Sequence, residues 1–192
     1  MSYKTLVAAG WITMIGAFIA LPLTYLMFKL EGRANLTAQT IQTLIQVFGT
    51  VLFVVITRYM KTLLNLQFAF HDTDRYIDLM IMANVVAGVL VLAGLFFSPL
   101  KETLGIAALV IMVFQGIVQI QFGYGLLKLQ ENIGGMLKPF CYANMLTGLC
   151  VASVVLIIVG VVVSAIADLM LGTIFLNIAK QVRYAEANSI DA

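Results

Sequence analysis

The chain of 192 residues has the length of one ordinary domain, but its composition excludes a water-soluble one. Hydrophobic residues make up 62% of the sequence and charged residues 10%, whereas soluble domains average about 45–50% and about 25%. The net charge of +2 is too small to indicate a nucleic-acid partner. The sequence therefore predicts an all-α integral membrane protein whose main partner is the lipid bilayer.

Six hydrophobic segments follow one another along the chain, and we interpret each as a membrane-spanning helix. A helix needs about 20 apolar residues to cross roughly 30 Å of hydrocarbon. The predicted spans are about 5–28, 40–57, 77–97, 104–127, 137–159 and 161–180. Together they predict one transmembrane domain, residues 1–192, folded as a six-helix bundle without a separate soluble part.

The last hydrophobic stretch is too long for one span, and we predict that it breaks near Gly160. Without that break the chain would have five spans, which is the alternative interpretation. With six spans, eight Lys and Arg residues lie on the side of both termini and three on the other; with five, the division is six to five. The positive-inside rule favours the uneven division. We therefore expect both termini in the cytoplasm, with the protein in a bacterial cytoplasmic membrane.

The polar connection after the second span carries two local predictions. Arg58–Phe70 is either an amphipathic helix on the membrane surface or a continuation of the second span. Asp74 is predicted to cap the third span, with Asp78 adding negative charge in its first turn. His71, Asp72 and Asp74 are potential metal ligands, but their spacing matches no metal motif, so we expect no metal.

Two similar segments indicate an internal repeat. Leu63–Gln67 follows the second span, and the closely similar Leu126–Gln130 follows the fourth. Asn84 and Asn144, 60 residues apart, hold corresponding positions in the third and fifth spans. The repeating unit is then a hairpin of two helices, and units with an even number of spans share one orientation in the membrane.

Asp168 is the residue whose position in lipid is most costly. An Asp at the centre of a spanning helix costs about 2.5–3.5 kcal/mol on insertion scales, and no Lys, Arg or His lies within any predicted span. The carboxyl group is then protonated, faces water, or pairs with a cation or with a basic residue of another subunit. The structural alternative is a neutral acid hydrogen-bonded to a neighbouring amide.

Four amide side chains complete the candidate intramembrane polar site with Asp168. Asn84 and Asn144 lie at depth in the third and fifth spans, and Gln115 and Gln119 are one turn apart in the fourth. Such amides either hold helices together by hydrogen bonds or line a path for water and solutes.

Catalytic motifs are missing from the sequence, which has one His and no CxxC, HExxH, GxSxG or Walker A pattern. We therefore expect no enzyme, no catalytic residues and no cofactor. The first hypothesis is a non-catalytic subunit or scaffold of a membrane assembly, whose protein partner is another copy or another membrane subunit. Short loops and the small residues Gly160, Ser164 and Gly172 around Asp168 motivate it. The alternative is a small channel or proton-coupled small-solute transporter that uses Asp168.

Overall fold

The computed structural model of the protein describes residues 1–33, 35–129 and 135–190. The regular structure of these residues is entirely helical. In chain order the α-helices are α1 (Tyr3–Leu30), α2 (Leu36–Phe68), α3 (Asp74–Phe96), α4 (Lys101–Leu126), α5 (Leu137–Ala152) and α6 (Ile157–Ile190). A short 3-10 turn, Ser98–Leu100, joins α3 to α4.

Five of these helices are long and apolar enough to cross a membrane, and α5 is the exception. Its 16 residues form a helix about 24 Å long at 1.5 Å per residue, which is shorter than the roughly 30 Å of a hydrocarbon core. The predicted fold class, an all-α membrane bundle of six helices, is confirmed by the described residues.

The six helices form a closed ring. Each helix packs against the next one in sequence, and α6 returns to pack against α1. The guanidinium of Arg183 lies 5.7 Å from the centre of the Tyr3 ring, so the start of α1 and the end of α6 share one end of the bundle. We call this the terminal end and the other the opposite end.

Glycines let two pairs of helices approach closely. A Cβ atom added to Gly148 of α5 would lie 2.5 Å from the carbonyl oxygen of Gly116 in α4. One added to Gly172 of α6 would lie 3.0 Å from the carbonyl oxygen of Gly10 in α1. Small residues at such contacts are typical of helices that associate in membranes, because they allow backbones to meet.

Large apolar side chains fill the ring toward the terminal end. Each of them is at most 2% exposed to solvent. We call this set the apolar plug: Leu6, Leu63, Ile77, Phe122, Leu126, Ile174 and Phe175. The plug closes the bundle at the end that holds both termini.

The chain turns between α5 and α6 at residues 153–156, and not at Gly160 as the sequence had predicted. The Ser153 hydroxyl donates to the carbonyl oxygen of Cys150 at 2.8 Å and accepts from the N–H of Leu156 at 3.3 Å. It thereby satisfies backbone groups that lipid could not. The predicted limits 137–159 and 161–180 are corrected accordingly. Gly160 lies inside α6, where an added Cβ would lie 3.0 Å from the Cβ of Cys150.

Helix α2 is longer at both ends than the predicted span 40–57. It begins earlier because Asn35 caps it: the side-chain oxygen accepts from the N–H of Ala38 at 2.8 Å. It continues to Phe68, so most of the segment after the predicted span extends α2 and forms no separate surface helix. Ala69, in the left-handed conformation with φ of 47°, ends it.

Asp74 is the first residue of α3 and not its cap, which corrects the prediction. Its carboxylate accepts from the Asn65 side-chain amide at 3.1 Å and lies 3.2 Å from Nδ1 of His71. Asp78 pairs with Lys61 at 2.7 Å. These polar contacts connect the end of α2 to the start of α3, because both acids reach groups on the preceding segment.

Candidate functional site

A cavity of about 370 Å³ is lined by residues from all six helices, and it extends outward to the exposed residues Phe48 and Gly49 of α2. Most of the lining residues of α1, α2, α3 and α6 lie closer to the opposite end than the apolar plug does. The polar side chains among them are Thr24, Gln46, Thr50, Thr57, Asn84, Gln119, Asn144, Ser164 and Asp168. We call this space the central cavity.

Asp168 is the only ionisable side chain among the described residues that line the central cavity. It stands on α6, between Ser164 and Leu171, which also line the space. No described residue donates a hydrogen bond to its carboxyl group or forms an ion pair with it. The carboxyl group therefore faces the cavity with both oxygens available, and the structural alternative of a bond to a neighbouring amide does not occur within the described residues.

Asn144 and Gln119 form a hydrogen-bonded pair between α5 and α4. The Gln119 amide donates to the Asn144 side-chain oxygen at 3.2 Å, and the Asn144 amide donates to the carbonyl oxygen of Phe140 at 3.1 Å. Asn144 is thus held in place from both sides. The Gln119 side-chain oxygen has no partner among the described residues, and it stays available to a ligand.

Asn84 contributes a second available oxygen, from α3. Its Oδ1 atom is buried and has no hydrogen-bond partner in the described part of the chain. A buried oxygen without a donor is unusual, because leaving a buried polar atom unsatisfied costs about 1–3 kcal/mol. A ligand or water in the central cavity would supply the missing donor.

Gln115 is the one predicted site residue that does not line the central cavity. It lies one turn from Gln119 on α4, toward the opposite end. The structure brings the other four predicted residues, Asp168, Asn84, Asn144 and Gln119, to one cavity from four different helices.

Polar residues of α2 also line the cavity, and the predicted site did not include them. Gln46, Thr50 and Thr57 lie at intervals of four and seven residues, which places them on one face of the helix. The Gln46 amide lies 3.5 Å from the Thr50 hydroxyl. Their spacing is the signal that could have found them, although threonines in membrane helices commonly bond only to their own backbone.

The rest of the cavity wall is apolar and partly aromatic. Phe53, Phe122 and Phe140 contribute rings from three helices, and Met60 and Met80 contribute flexible side chains. The site therefore combines one acid and a few amides with a hydrophobic wall. This is the usual character of small-molecule sites, in which a few polar groups orient a ligand that apolar surfaces enclose.

A second cavity, of about 420 Å³, lies toward the opposite end of the bundle. It shares Thr24 and Met27 of α1 with the central cavity, so the two spaces are adjacent. Its rim carries the exposed charged residues Glu31, Arg33 and Lys101. We call this space the vestibule. The vestibule therefore lies between the charged residues of the opposite end and the central cavity.

The fold and the cavity define the class of protein: an integral membrane helical bundle with a largely apolar cavity that contains one acid and a few amides. Comparisons of the chain with protein-family models, with curated protein sequences and with solved structures return no match.

Proposed function

We propose that this protein is a small-solute transporter in which Asp168 binds the transported cation or the coupling proton. The observation that carries the proposal is the position of Asp168, which faces the central cavity without a partner among the described residues. Acids in membrane helices are costly, and they commonly mark ion and proton pathways. An acid that only held helices together would be expected to bond to a neighbouring side chain.

The arrangement of the two cavities favours a carrier over an open channel. A channel needs a continuous path, and the apolar plug occupies the ring on the terminal side of Asp168. A carrier exposes its site to one side of the membrane at a time. In this protein the vestibule adjoins the central cavity on one side, and the apolar plug fills the bundle on the other. This is the arrangement expected of a carrier whose site faces the opposite end.

We infer that both termini lie in the cytoplasm of a bacterial cell, so that the vestibule faces away from it. Lys4, Arg58, Lys61, Arg75, Lys128, Lys138, Lys180 and Arg183 belong to the terminal end, and Lys29, Arg33 and Lys101 to the opposite end. This excess follows the positive-inside rule. A reporter fused to the C-terminus should be active only as a cytoplasmic fusion, and a periplasmic reading would contradict the orientation.

We propose further that the hairpins α2–α3 and α4–α5 are copies of one unit. Asn84 and Asn144 line the central cavity from the second helix of each hairpin. Gly88 and Gly148 make close contacts with the preceding helix, α2 and α4 respectively. Gln130, which ends the second copy of the repeated segment, lies outside the described residues. Parallel repeats place equivalent side chains around an axis normal to the membrane, which accords with a site at the centre of the ring.

The assembly hypothesis stays a prediction with less support. It rested partly on the small residues around Asp168, and three of these are used within the chain. Gly160 and Gly172 make close contacts with α5 and α1, and Ser164 lines the central cavity. The small-residue face is therefore occupied by the protein's own helices.

The proposal is tested by transport in liposomes that contain the full chain. An imposed pH gradient is followed with an internal pH-sensitive dye, with and without candidate solutes outside. We expect the protein to increase flux over empty liposomes and expect Asp168→Asn to abolish the increase, because the amide cannot exchange a proton or neutralise a cation. Equal flux by wild type and Asp168→Asn would contradict the proposal.

The matched control is Asp72→Asn, which makes the same chemical change at an exposed position in the α2–α3 connection. It should transport like the wild type. If Asp72→Asn lost flux as well, the loss in Asp168→Asn would reflect charge in general and not the central cavity.

A further inference from the structure

Three side-chain groups of the central cavity offer oxygen atoms to a ligand, and one of these groups is an acid. The Asp168 carboxylate, Asn84 Oδ1 and the Gln119 side-chain oxygen lack partners among the described residues. The amide of Asn144 is already used, because its nitrogen donates to Phe140 and its oxygen accepts from Gln119. A ligand that satisfies these groups has to bring several donors.

The charge of the cavity selects against anions. Asp168 is the only ionisable residue in the described lining, and no Lys, Arg or His stands beside it. An anion would therefore meet a carboxylate without a compensating positive charge. A cation would pair with Asp168, and hydrogen bonds in which one partner is charged are stronger than those between neutral groups.

The size and wall of the cavity select against a bare metal ion. A volume of about 370 Å³ lies within the range of about 300–1,000 Å³ that is usual for organic ligands. Hard cations prefer six or more oxygen ligands at short distances, whereas much of this wall is apolar. Phe53, Phe122 and Phe140 instead offer aromatic surfaces, which attract organic cations and pack against an apolar body.

We propose that the central cavity binds a small organic cation, a primary ammonium group carried on an apolar or aromatic body, with Asp168 and Asn84 as its acceptors. The ammonium supplies three N–H donors to the oxygens, and the body lies against the phenylalanine and methionine side chains. A quaternary ammonium has the charge but no donors, so it binds less well. The inference deepens the proposed transport function and rests on the same cavity.

The test uses four compounds that share a phenyl body and differ only at the head. They are 2-phenylethylammonium, its N,N,N-trimethyl derivative, 2-phenylethanol and 3-phenylpropionate. Binding of each to the full chain in lipid nanodiscs is measured by calorimetry near neutral pH, with empty nanodiscs subtracted. We expect the primary ammonium to bind about tenfold or more tightly than the alcohol and the carboxylate, with the trimethyl compound between. Equal affinities for the ammonium and the alcohol would overturn the proposal.

Substitutions test whether Asp168 and Asn84 cause the preference for the ammonium compound. Asp168→Asn should weaken 2-phenylethylammonium about tenfold or more and leave 2-phenylethanol unchanged, whereas Asp72→Asn should alter neither. Asn84→Leu, which keeps the branching of the side chain but removes its oxygen and its amide nitrogen, should weaken binding of the ammonium several-fold. If Asp168→Asn does not purify as a folded protein, the proposal is decided by the binding of the four compounds to the wild type and to Asn84→Leu. The proposal would be overturned if a folded Asp168→Asn variant bound 2-phenylethylammonium as tightly as the wild type. It would also be overturned if sodium chloride displaced the ammonium and excess potassium chloride did not, because the site would then be one for sodium ions.

Failure of this inference is distinguishable from failure of the proposed function. Asp168-dependent proton flux without ammonium binding would leave the transport function in place and remove the ligand. Asp168-dependent ammonium binding without flux of any solute would establish the ligand site and remove transport.

Discussion

Replacing Gly148 with Ala should destabilise the bundle, because it places a methyl group in the contact between α5 and α4. The added Cβ would lie 2.5 Å from the carbonyl oxygen of Gly116 and 3.0 Å from the backbone nitrogen of Ile120. Ordinary contact begins at 3.4 Å, so the helices have to separate by about 0.9 Å. The Cγ1 atom of Ile120 would lie 2.9 Å from the added Cβ, and rotation of that side chain can move it, but no side-chain rotation moves the two backbone atoms.

The expected cost is that of overpacking, about 1–3 kcal/mol in the free energy of unfolding. For a chain of this size that corresponds to roughly 2–4 °C of melting temperature per kcal/mol. The separation would also lengthen the hydrogen bond between Gln119 and Asn144, now 3.2 Å. Destabilisation and weaker ligand binding should therefore occur together.

The assay compares the thermal unfolding of Gly148→Ala and Gly105→Ala in one detergent, followed by circular dichroism and by the fraction of protein that stays monodisperse. Gly105 lies inside α4, and a Cβ there would meet no atom within 4 Å. Its replacement should leave the melting temperature unchanged or raise it, since alanine is favoured over glycine in helices by about 0.5–1 kcal/mol. If Gly148→Ala melted at or above the temperature of Gly105→Ala, the assignment of Gly148 to a close backbone contact would be refuted.

Three further changes test local interactions by the same unfolding assay. Asn35→Ala should cost about 0.5–2 kcal/mol through loss of the α2 cap, and Asn35→Asp should restore most of it; equal stability of both would contradict the cap. Ser153→Ala should cost about 0.5–1.5 kcal/mol, because the hydroxyl bonds to two backbone groups in the turn before α6, and no loss would mean that water or lipid headgroups replace it. Lys61→Met should cost at most about 1 kcal/mol, since the Asp78 side chain of this ion pair is 63% exposed, and the cost should vanish in high salt; a larger cost at high salt would show a role beyond the pair.

The number and order of the helices could be predicted from the sequence because hydrophobic length is a strong signal, whereas their ends could not. Helix ends depend on single hydrogen bonds. Ser153 ends α5 through its hydroxyl, and Asn35 starts α2 through its side-chain oxygen. Both are ordinary polar residues in the sequence. Gly160 looked like a helix break for the same reason that it suits a close contact, namely the absence of a side chain.

Much of the candidate site could be predicted because polar residues at membrane depth are costly, and so few have to be considered. Asp168, Asn84, Asn144 and Gln119 all reach the central cavity. The direction in which each polar residue points could not be predicted. Gln115 and Gln119 have the same chemistry and lie on the same face of α4, and only their different depth along the helix decides which of them lines the space. The α2 threonines are missed because a hydroxyl costs too little in lipid to stand out.

The cavity itself follows from the number of helices in the ring. Packed helices lie about 8–10 Å apart, so in a regular ring of six, axes on opposite sides are separated by about 16–20 Å. That separation leaves room at the centre which no helix occupies and which inward-pointing side chains have to fill. Toward the terminal end, the inward positions carry large side chains such as Phe122 and Phe175, which are fully buried. At the level of Asp168 the inward positions carry small or polar residues such as Ala167 and Ser164, which leave it open. Because well-packed proteins retain few large voids, an unfilled centre lined by an acid without a partner in the described chain is the arrangement expected for the ligand site that we propose.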